Sequence, residues 1–506
     1  MIRPRSRTLA LLLFPLVGAL TLTGCFSTAS PGEASADRIS VAHMQPPRSG
    51  LSPLSDDAFK LSRWSTAETL VNLDDAGDAT AGLATEWTRE GELIWNFSIR
   101  EGVSFHNGQP LTADSVVNSL RRAIDSTPVP RILNGTELTV EPHGEQGVRI
   151  TTADPDPLLP QRLSSPQLAI FDAAAYTASG VNPLGTGTGP FQLMAVDGVS
   201  GATLDRFADY WGEPAKAPGI DVKFVPDGTA RAAALRTGEA DVVEAIPAGQ
   251  AASVDQELLT EVPMPRTNTL YLNTEQGPFK DPAIRAAARA AIDRAAIVGS
   301  VYEDRADIAE GLLGPALPYA ANYRQDADYQ QLLGGRAEPA KVQGVKISLG
   351  TFTDRAELPE VAVLLEAQLE TAGFEVSQDV REYQYIEADA LDGKFDAFIL
   401  SRATVLDSGD PVAYLASDFS CEGGFAISQL CSAEVDQAID TAAETEAGEE
   451  RQRRIMLAEA RILGTDAAIP LLHERVIQGE LPQLEDAARD PRERQLITAT
   501  TRLGSE

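Results

Sequence analysis

Residues 67–121 read AETLVNLDDAGDATAGLATEWTREGELIWNFSIREGVSFHNGQPLTADSVVNSLR. After an apolar start at Leu70 and Val71 the chain enters a loop rich in Asp and Gly, and Leu83, Ala84 and Trp87 form a short segment behind it. Residues 93–100 (LIWNFSIR) read as a strand, which Gly102 ends. Val103, Phe105 and His106 then lead into the turn Asn107-Gly108-Gln109-Pro110. Thr112 is a good N-cap, because its hydroxyl can take an otherwise unpartnered amide of a first helical turn. Behind it come Ala113 and Asp114, then Val116, Val117, Leu120, Ala123 and Ile124 at helical spacing. The chemistry of the stretch yields strand, turn and capped helix, and no more.

The order of unlike residue types ETLV…D…G…LA..W…W.F.IR.GV.FH.G.PLTA.SVV.S..R is long and without gaps. It resembles the extracytoplasmic solute-binding proteins of ABC importers, in the large family (family 5) that includes peptide- and nickel-binding members. The resemblance implies an α/β, two-lobed periplasmic-binding-protein fold (class II-like, Venus-flytrap) with an extra small domain in the first lobe. On that basis lobe I is expected in residues 38–66, 185–265 and 480–506, the small domain in 67–184 and lobe II in 266–479. The likeness extends over nearly all of residues 39–483.

Composition sets the compartment and excludes some partners. Of 506 residues, 43% are hydrophobic and 6% aromatic, as in an ordinary soluble protein rather than a disordered or membrane-spanning one. The 42 Lys and Arg face 74 Asp and Glu, a net charge of −32, which argues against binding nucleic acid or an anionic membrane surface through charge. Arg3, Arg5 and Arg7 precede an apolar run over residues 9–22, interrupted by Pro15, Gly18 and Thr21. This is a charged n-region followed by an h-region too short for a membrane span, so residues 1–24 are expected to be a signal peptide. Leu22-Thr23-Gly24-Cys25 resembles the bacterial lipobox, in which the cysteine takes lipid and becomes the new N-terminus. The alternative is a plain secretory signal with an incidental cysteine. Residues 25–37 then form the lipidated tether of an extracytoplasmic protein held on the cell membrane by lipid alone. Without the first 24 residues, 39 basic residues face 74 acidic ones, and the net charge is −35.

Assigning Cys25 to lipid leaves Cys421 and Cys431, and a disulfide is the default for such a pair in an oxidising compartment. His43, His106, His143 and His473 are scattered, with none at helical i, i+4 spacing, so no metal site or cofactor is expected. The glycines of residues 184–191 (LGTGTGPF) suggest a phosphate cradle. No Lys-Ser/Thr follows and Pro190 interrupts any helix start, so a backbone turn is expected, matching the family's GTGPF segment. Asp209-Tyr210-Trp211-Gly212 fits the family's YW turn. Residues 220–225, 229–237 and 240–243 read as strand, helix and strand, a βαβ unit resembling the family's lobe-building one, with Asp241 capping structure.

In the second lobe Asp281-Pro282 starts a helix, and residues 342–351, 357–371 and 374–380 repeat strand, helix and strand. Residues 434–463 read as a long amphipathic helical region broken at Gly448. Between them, residues 395–400 form a buried strand that leads to Asp407-Ser408-Gly409-Asp410-Pro411. The pattern D.GDP…L…FSC is close to that of the family's dipeptide-binding branch. Carried over, it points to Asp407 as the acceptor of a ligand ammonium, with Asp410 a weaker candidate, and to Cys421 and Cys431 as bridged. A fixed carboxylate is what an ammonium needs on leaving water. The plainer reading has both aspartates making the turn before Pro411. The branch's usual tryptophan is missing, and Arg402-Ala403-Thr404-Val405 stands in its place. Pro359 and Glu360 fall where that branch keeps a carboxylate-holding arginine. Arg355, a turn away, and Arg402 are the remaining weak candidates.

The expected function is binding, not catalysis. No G-x-S-x-G, no H-E-x-x-H and no histidine beside a cysteine nucleophile is present, which counts against a secreted hydrolase. The resemblance implies a monomer that closes its lobes over a solute and presents it to ABC permease subunits. Di- or oligopeptides are the first solute class; a nickel chelate, haem, a sugar or an opine is possible on the same fold, as is a non-transport surface receptor.

Overall fold

The structure is a computed structural model, described over residues 37–133, 136–177, 180–405 and 408–504. The expected signal peptide, Cys25 with nearly all of the expected tether, and Asp407 lie outside the described residues. No described helix is long and apolar enough to cross a membrane.

Among the described residues, eleven strands share one sheet that runs through both lobes. In lobe I, Ile39–His43 pairs in parallel with Gly219–Phe224 and with Val242–Val243. The expected βαβ unit is present: helix Gly228–Thr237 joins those last two strands, capped by Asp227 Oδ1, which accepts the Ala230 amide, and ended by Gly238. In lobe II, Val345–Phe352 pairs in parallel with Phe374–Arg381 and with Ala397–Ala403, and helix Glu357–Thr371 forms the crossover. The expected long helical region is two helices, Ala433–Glu444 and Glu449–Gly464, separated at Gly448, whose φ of 124° suits glycine.

Two long antiparallel strands, Leu259–Leu272 and Ala468–Glu480, connect these halves. Their pairing jumps from Pro263↔Arg475 to Thr267↔His473. The cause is local, since Pro263 and Pro265 carry no N–H for a ladder. Hydrophobic burial divides on either side of this crossing. One cluster is built on residues such as Leu272, Leu349, Leu365 and Ile462 of lobe II, and another on Ile39, Trp64, Phe191 and Ile220 of lobe I.

The stretch over residues 67–121 folds with its neighbours around a third cluster. A four-stranded antiparallel sheet has the order Ala84–Glu90, Ile94–Ile99, Gly147–Thr152 and Leu138–Pro142. Helix Ala113–Ile124 covers it, burying Val116, Val117 and Leu120 against Phe97, Ile99, Val148 and Ile150. Each such side chain contributes about 1.5–3 kcal/mol by leaving water. Thr112 caps the helix as expected and does so reciprocally: its Oγ1 accepts the Ser115 amide, and the Ser115 Oγ accepts the Thr112 amide.

The glycine-rich segment is a turn. A Cβ on Gly187 would lie 2.2 Å from the Thr66 carbonyl oxygen, so only glycine lets these two backbones meet. The buried His106 locks the turn: its amide donates to the Gly187 carbonyl at 2.8 Å and its Nε2 to the Gly189 carbonyl at 2.8 Å. Asp241 is structural as expected, accepting from the Ser40 amide at 2.8 Å and the Ser40 hydroxyl at 2.5 Å.

Candidate functional site

A cavity of ≈ 470 Å³ lies where the crossing strands pass between the lobes. Lobe I supplies the end of strand Ile39–His43, the helix Ala58–Arg63 and Glu244. The crossing strands supply Val262, Met264, Arg266 and Val476, and lobe II supplies Arg355 ahead of its helix. The remaining wall is the C-terminal segment around Asp490 and Glu493.

Ion pairs from distant parts of the chain organise the cavity. Arg63 is central: its Nη1 donates to Glu244 Oε1, its Nε to the Glu493 carbonyl at 2.7 Å and its Nη2 to Glu493 Oε2 at 2.8 Å. Arg266 reaches the other oxygen of Glu493, Nε to Oε1, at 3.4 Å. Burial alone would push the Glu493 carboxyl up, but the guanidiniums of Arg266, Arg63 and Arg355 hold it below the ordinary carboxylate range, so it is ionised. Glu493 has a φ of 59°, in the left-handed region that non-glycine residues seldom enter. Asp490 fixes that turn, its carboxylate accepting the amides of Arg492, Arg494 and Gln495 at 2.8 to 3.0 Å.

His43 sits behind Glu244, with Nδ1 3.3 Å from Oε2 but not in hydrogen-bonding geometry. Burial, reinforced by the charges of Arg63, Lys60 and Arg231, holds the imidazole far below its usual range and hence neutral. Arg355 Nη1 donates to Glu474 Oε2 at 2.7 Å, and Glu474 also accepts from Ser401 Oγ at 2.5 Å. Nη1 and Nη2 of Arg266, and Nε and Nη2 of Arg355, make no hydrogen bond to another described residue. The cavity therefore presents fixed guanidinium donors to whatever enters it.

Of the residues singled out from the sequence, Arg355 lines this cavity. Arg402, a weaker candidate from the sequence, is not among the residues lining it. It forms a two-pronged pair with Asp418, Nε to Oδ2 and Nη2 to Oδ1 at 2.8 Å each, and lies over the Phe425 ring at 4.4 Å. Asp418 is fully buried, so the arginine is the counter-ion that allows this carboxylate inside. Asp410, the other weaker candidate, is likewise held by partners within the chain. Its oxygens accept from Nε and Nη2 of the buried Arg451 at 2.7 and 3.1 Å, and Oδ1 also accepts the Val412 amide. Both donor sets start or stabilise helix Val412–Phe419. The sulfurs of Cys421 and Cys431 are 2.10 Å apart. Among the described residues no group of three or more His, Cys, Asp or Glu is placed to hold a metal.

Sequence reading missed Arg63, Glu244, Arg266 and Glu493. They are far apart along the chain and fit no spacing rule. The one signal was Pro263 and Pro265, which flag an interrupted ladder just before Arg266.

Known proteins match this architecture. A structure from Bacillus halodurans described as a nickel ABC transporter superposes with a TM-score of 0.77 at 24% identity, covering 92% of this chain and 100% of that one. The nickel-binding protein NikA of Staphylococcus aureus is 25% identical over 383 residues, 74% of this chain and 76% of its own. A probable di/tripeptide-binding protein of Pseudomonas aeruginosa is 27% identical over 439 residues, 79% of this chain and 83% of its own. The family described as "Bacterial extracellular solute-binding proteins, family 5 Middle" matches residues 78–426. With that match spanning well over half of the sequence, the chain belongs to the family 5 extracellular solute-binding proteins of ABC importers.

Proposed function

We propose that the protein binds di- or oligopeptides in the interlobe cavity and delivers them to an ABC permease, working as a monomer held outside the cell by lipid on Cys25. The observation that carries this reading is the pair Arg266 and Arg355. They are anchored by carboxylates behind them and keep N–H donors for a solute, and carbonyl and carboxylate oxygens, which peptides supply at regular intervals, are what such donors hold. The di/tripeptide-binding relative supports it, as does a 30% identical glutathione-binding relative aligned over 267 residues. The same proposal takes lobe I as residues 38–66, 185–265 and 480–506, the small domain as 67–184 and lobe II as 266–479; the buried cluster of residues 70–170 supports a separate small domain, while Ala169, Phe171 and Ala175 pack in the lobe I cluster. A bridge between Cys421 and Cys431, and Asp407 as a contact for the peptide ammonium, belong to the same proposal.

A nickel chelate is the second reading, favoured by the nickel-binding relatives. Native mass spectrometry of the protein, followed by release of the bound species, separates the two. Co-purifying peptides support the first and a chelated metal the second. Protein without peptide that also shows no melting shift across peptide pools overturns the first, since a ligand at a hundredfold excess over its dissociation constant adds about 2.7 kcal/mol. Loss of membrane attachment in Cys25→Ala tests the anchor.

A further inference from the structure

We propose that Glu493 is a resident carboxylate that pre-empts Arg266 beside Arg355, so that the cleft takes a peptide through neutral backbone carbonyls and not through its terminal carboxylate. The proposal rests on the reading of this cavity as the solute site.

The placement of Glu493 is specific and costs backbone freedom. Its φ of 59° is held by a turn that Asp490 builds, and the turn brings the side chain to the guanidiniums of Arg63, from lobe I, and Arg266, from a crossing strand, with Arg355 on the wall of the same cavity. An ionised carboxylate therefore already stands where an incoming one would go. Arg355 is likewise faced by Glu474. A ligand carboxylate brought to the outward N–H groups of Arg266 and Arg355 would gain two charged donors but meet the like charge of Glu493 in a partly dry cavity. A peptide carbonyl can use the same donors without that opposition. Glu493 is thus a specificity-determining residue. It favours solutes whose middle, rather than whose charged end, passes this point, and it disfavours dipeptides and polycarboxylate chelates gripped by their acid groups.

The test compares tri-alanine with its C-terminal amide by titration calorimetry, on the wild-type chain and on Glu493→Gln. The wild type is expected to bind the two within about 3-fold of each other, and Glu493→Gln to shift the ratio towards the free acid by about 10- to 100-fold, the worth of charge-assisted hydrogen bonds no longer opposed. A wild type that prefers the free acid by about 10-fold or more, or a folded Glu493→Gln with an unchanged ratio, overturns the proposal. If the variant does not fold, the wild-type ratio decides alone. If neither tripeptide binds, the peptide reading fails. Succinate and succinamide then probe the arginines directly: a melting shift by succinate only in Glu493→Gln sustains the role of Glu493, and a shift in the wild type, or in neither protein, overturns it.

Discussion

Replacing Asp418 by Asn separates a structural role for Arg402 from a ligand-binding one. The carboxylate is fully buried and accepts two guanidinium hydrogen bonds of 2.8 Å, whereas the arginine side chain is 27% exposed. Breaking a fully buried pair by removing one partner costs about 3–5 kcal/mol. Arg402 retains some water, its packing over Phe425 and one acceptor on the asparagine, which reduces the expected loss to about 2 kcal/mol. For a cooperative unit of roughly 200 residues each kcal/mol corresponds to about 2–4 °C, so the lobe II transition should fall by about 4–8 °C. Scanning calorimetry reads that shift. Titration of a bound peptide at a temperature where both proteins are folded should give dissociation constants within about 3-fold. An unchanged transition combined with loss of peptide binding would refute the reasoning and return Arg402 to the ligand site.

Other outcomes follow from the same geometry. Arg355→Gln should weaken peptide binding by about 10- to 100-fold, because it removes charged donors that line the cavity, and should also lower the melting temperature, because the buried Glu474 loses its counter-ion; calorimetric titration below the transition and a melting scan check the two effects. Thr112→Ala removes one half of a capping box and should cost about 1 kcal/mol, read as a lower urea midpoint at constant slope. Burial, which outweighs the hydrogen bond to Gly189, holds His106 at about 4 against an ordinary 6.5. The unfolded chain then takes up a proton that the folded chain refuses, so stability falls as pH drops from 6.5 towards 4, by a contribution of order 3 kcal/mol. Urea titrations at several pH values should show this slope, and His106→Gln should flatten it.

Much of the fold was legible because local chemistry and tertiary structure agree. Thr112 caps the helix that it marks, Gly448 separates two helices, and the alternation of strand and helix over residues 220–243 and 342–380 gives the two parallel halves of the sheet. The candidate site was legible only through Arg355. Asp410 stands in the D.GDP motif and Arg402 just before it, and each has a buried counter-ion, Arg451 and Asp418, that no spacing connects to it. Arg63 and Glu493 are 430 residues apart, and their meeting depends on how the C-terminal segment is routed. Periodicity reports which face of an element is buried, not which distant charge will be opposite.

That routing has a consequence for the order in which the protein is made. The residues that close the cavity wall, Asp490 to Leu496, are synthesised long after their partners on helix Ala58–Arg63. The capped helix and its four-stranded sheet have the fully buried residues of their cluster in hand once about residue 170 is out. The pairs that Glu493 makes with Arg63 and Arg266 cannot form until the C-terminal segment arrives and the stretch of 430 residues between Arg63 and Glu493 is closed into a loop. Closure of the cavity wall thus waits on contacts between residues more than 400 positions apart, and it follows the assembly of the capped helix and its sheet rather than guiding it.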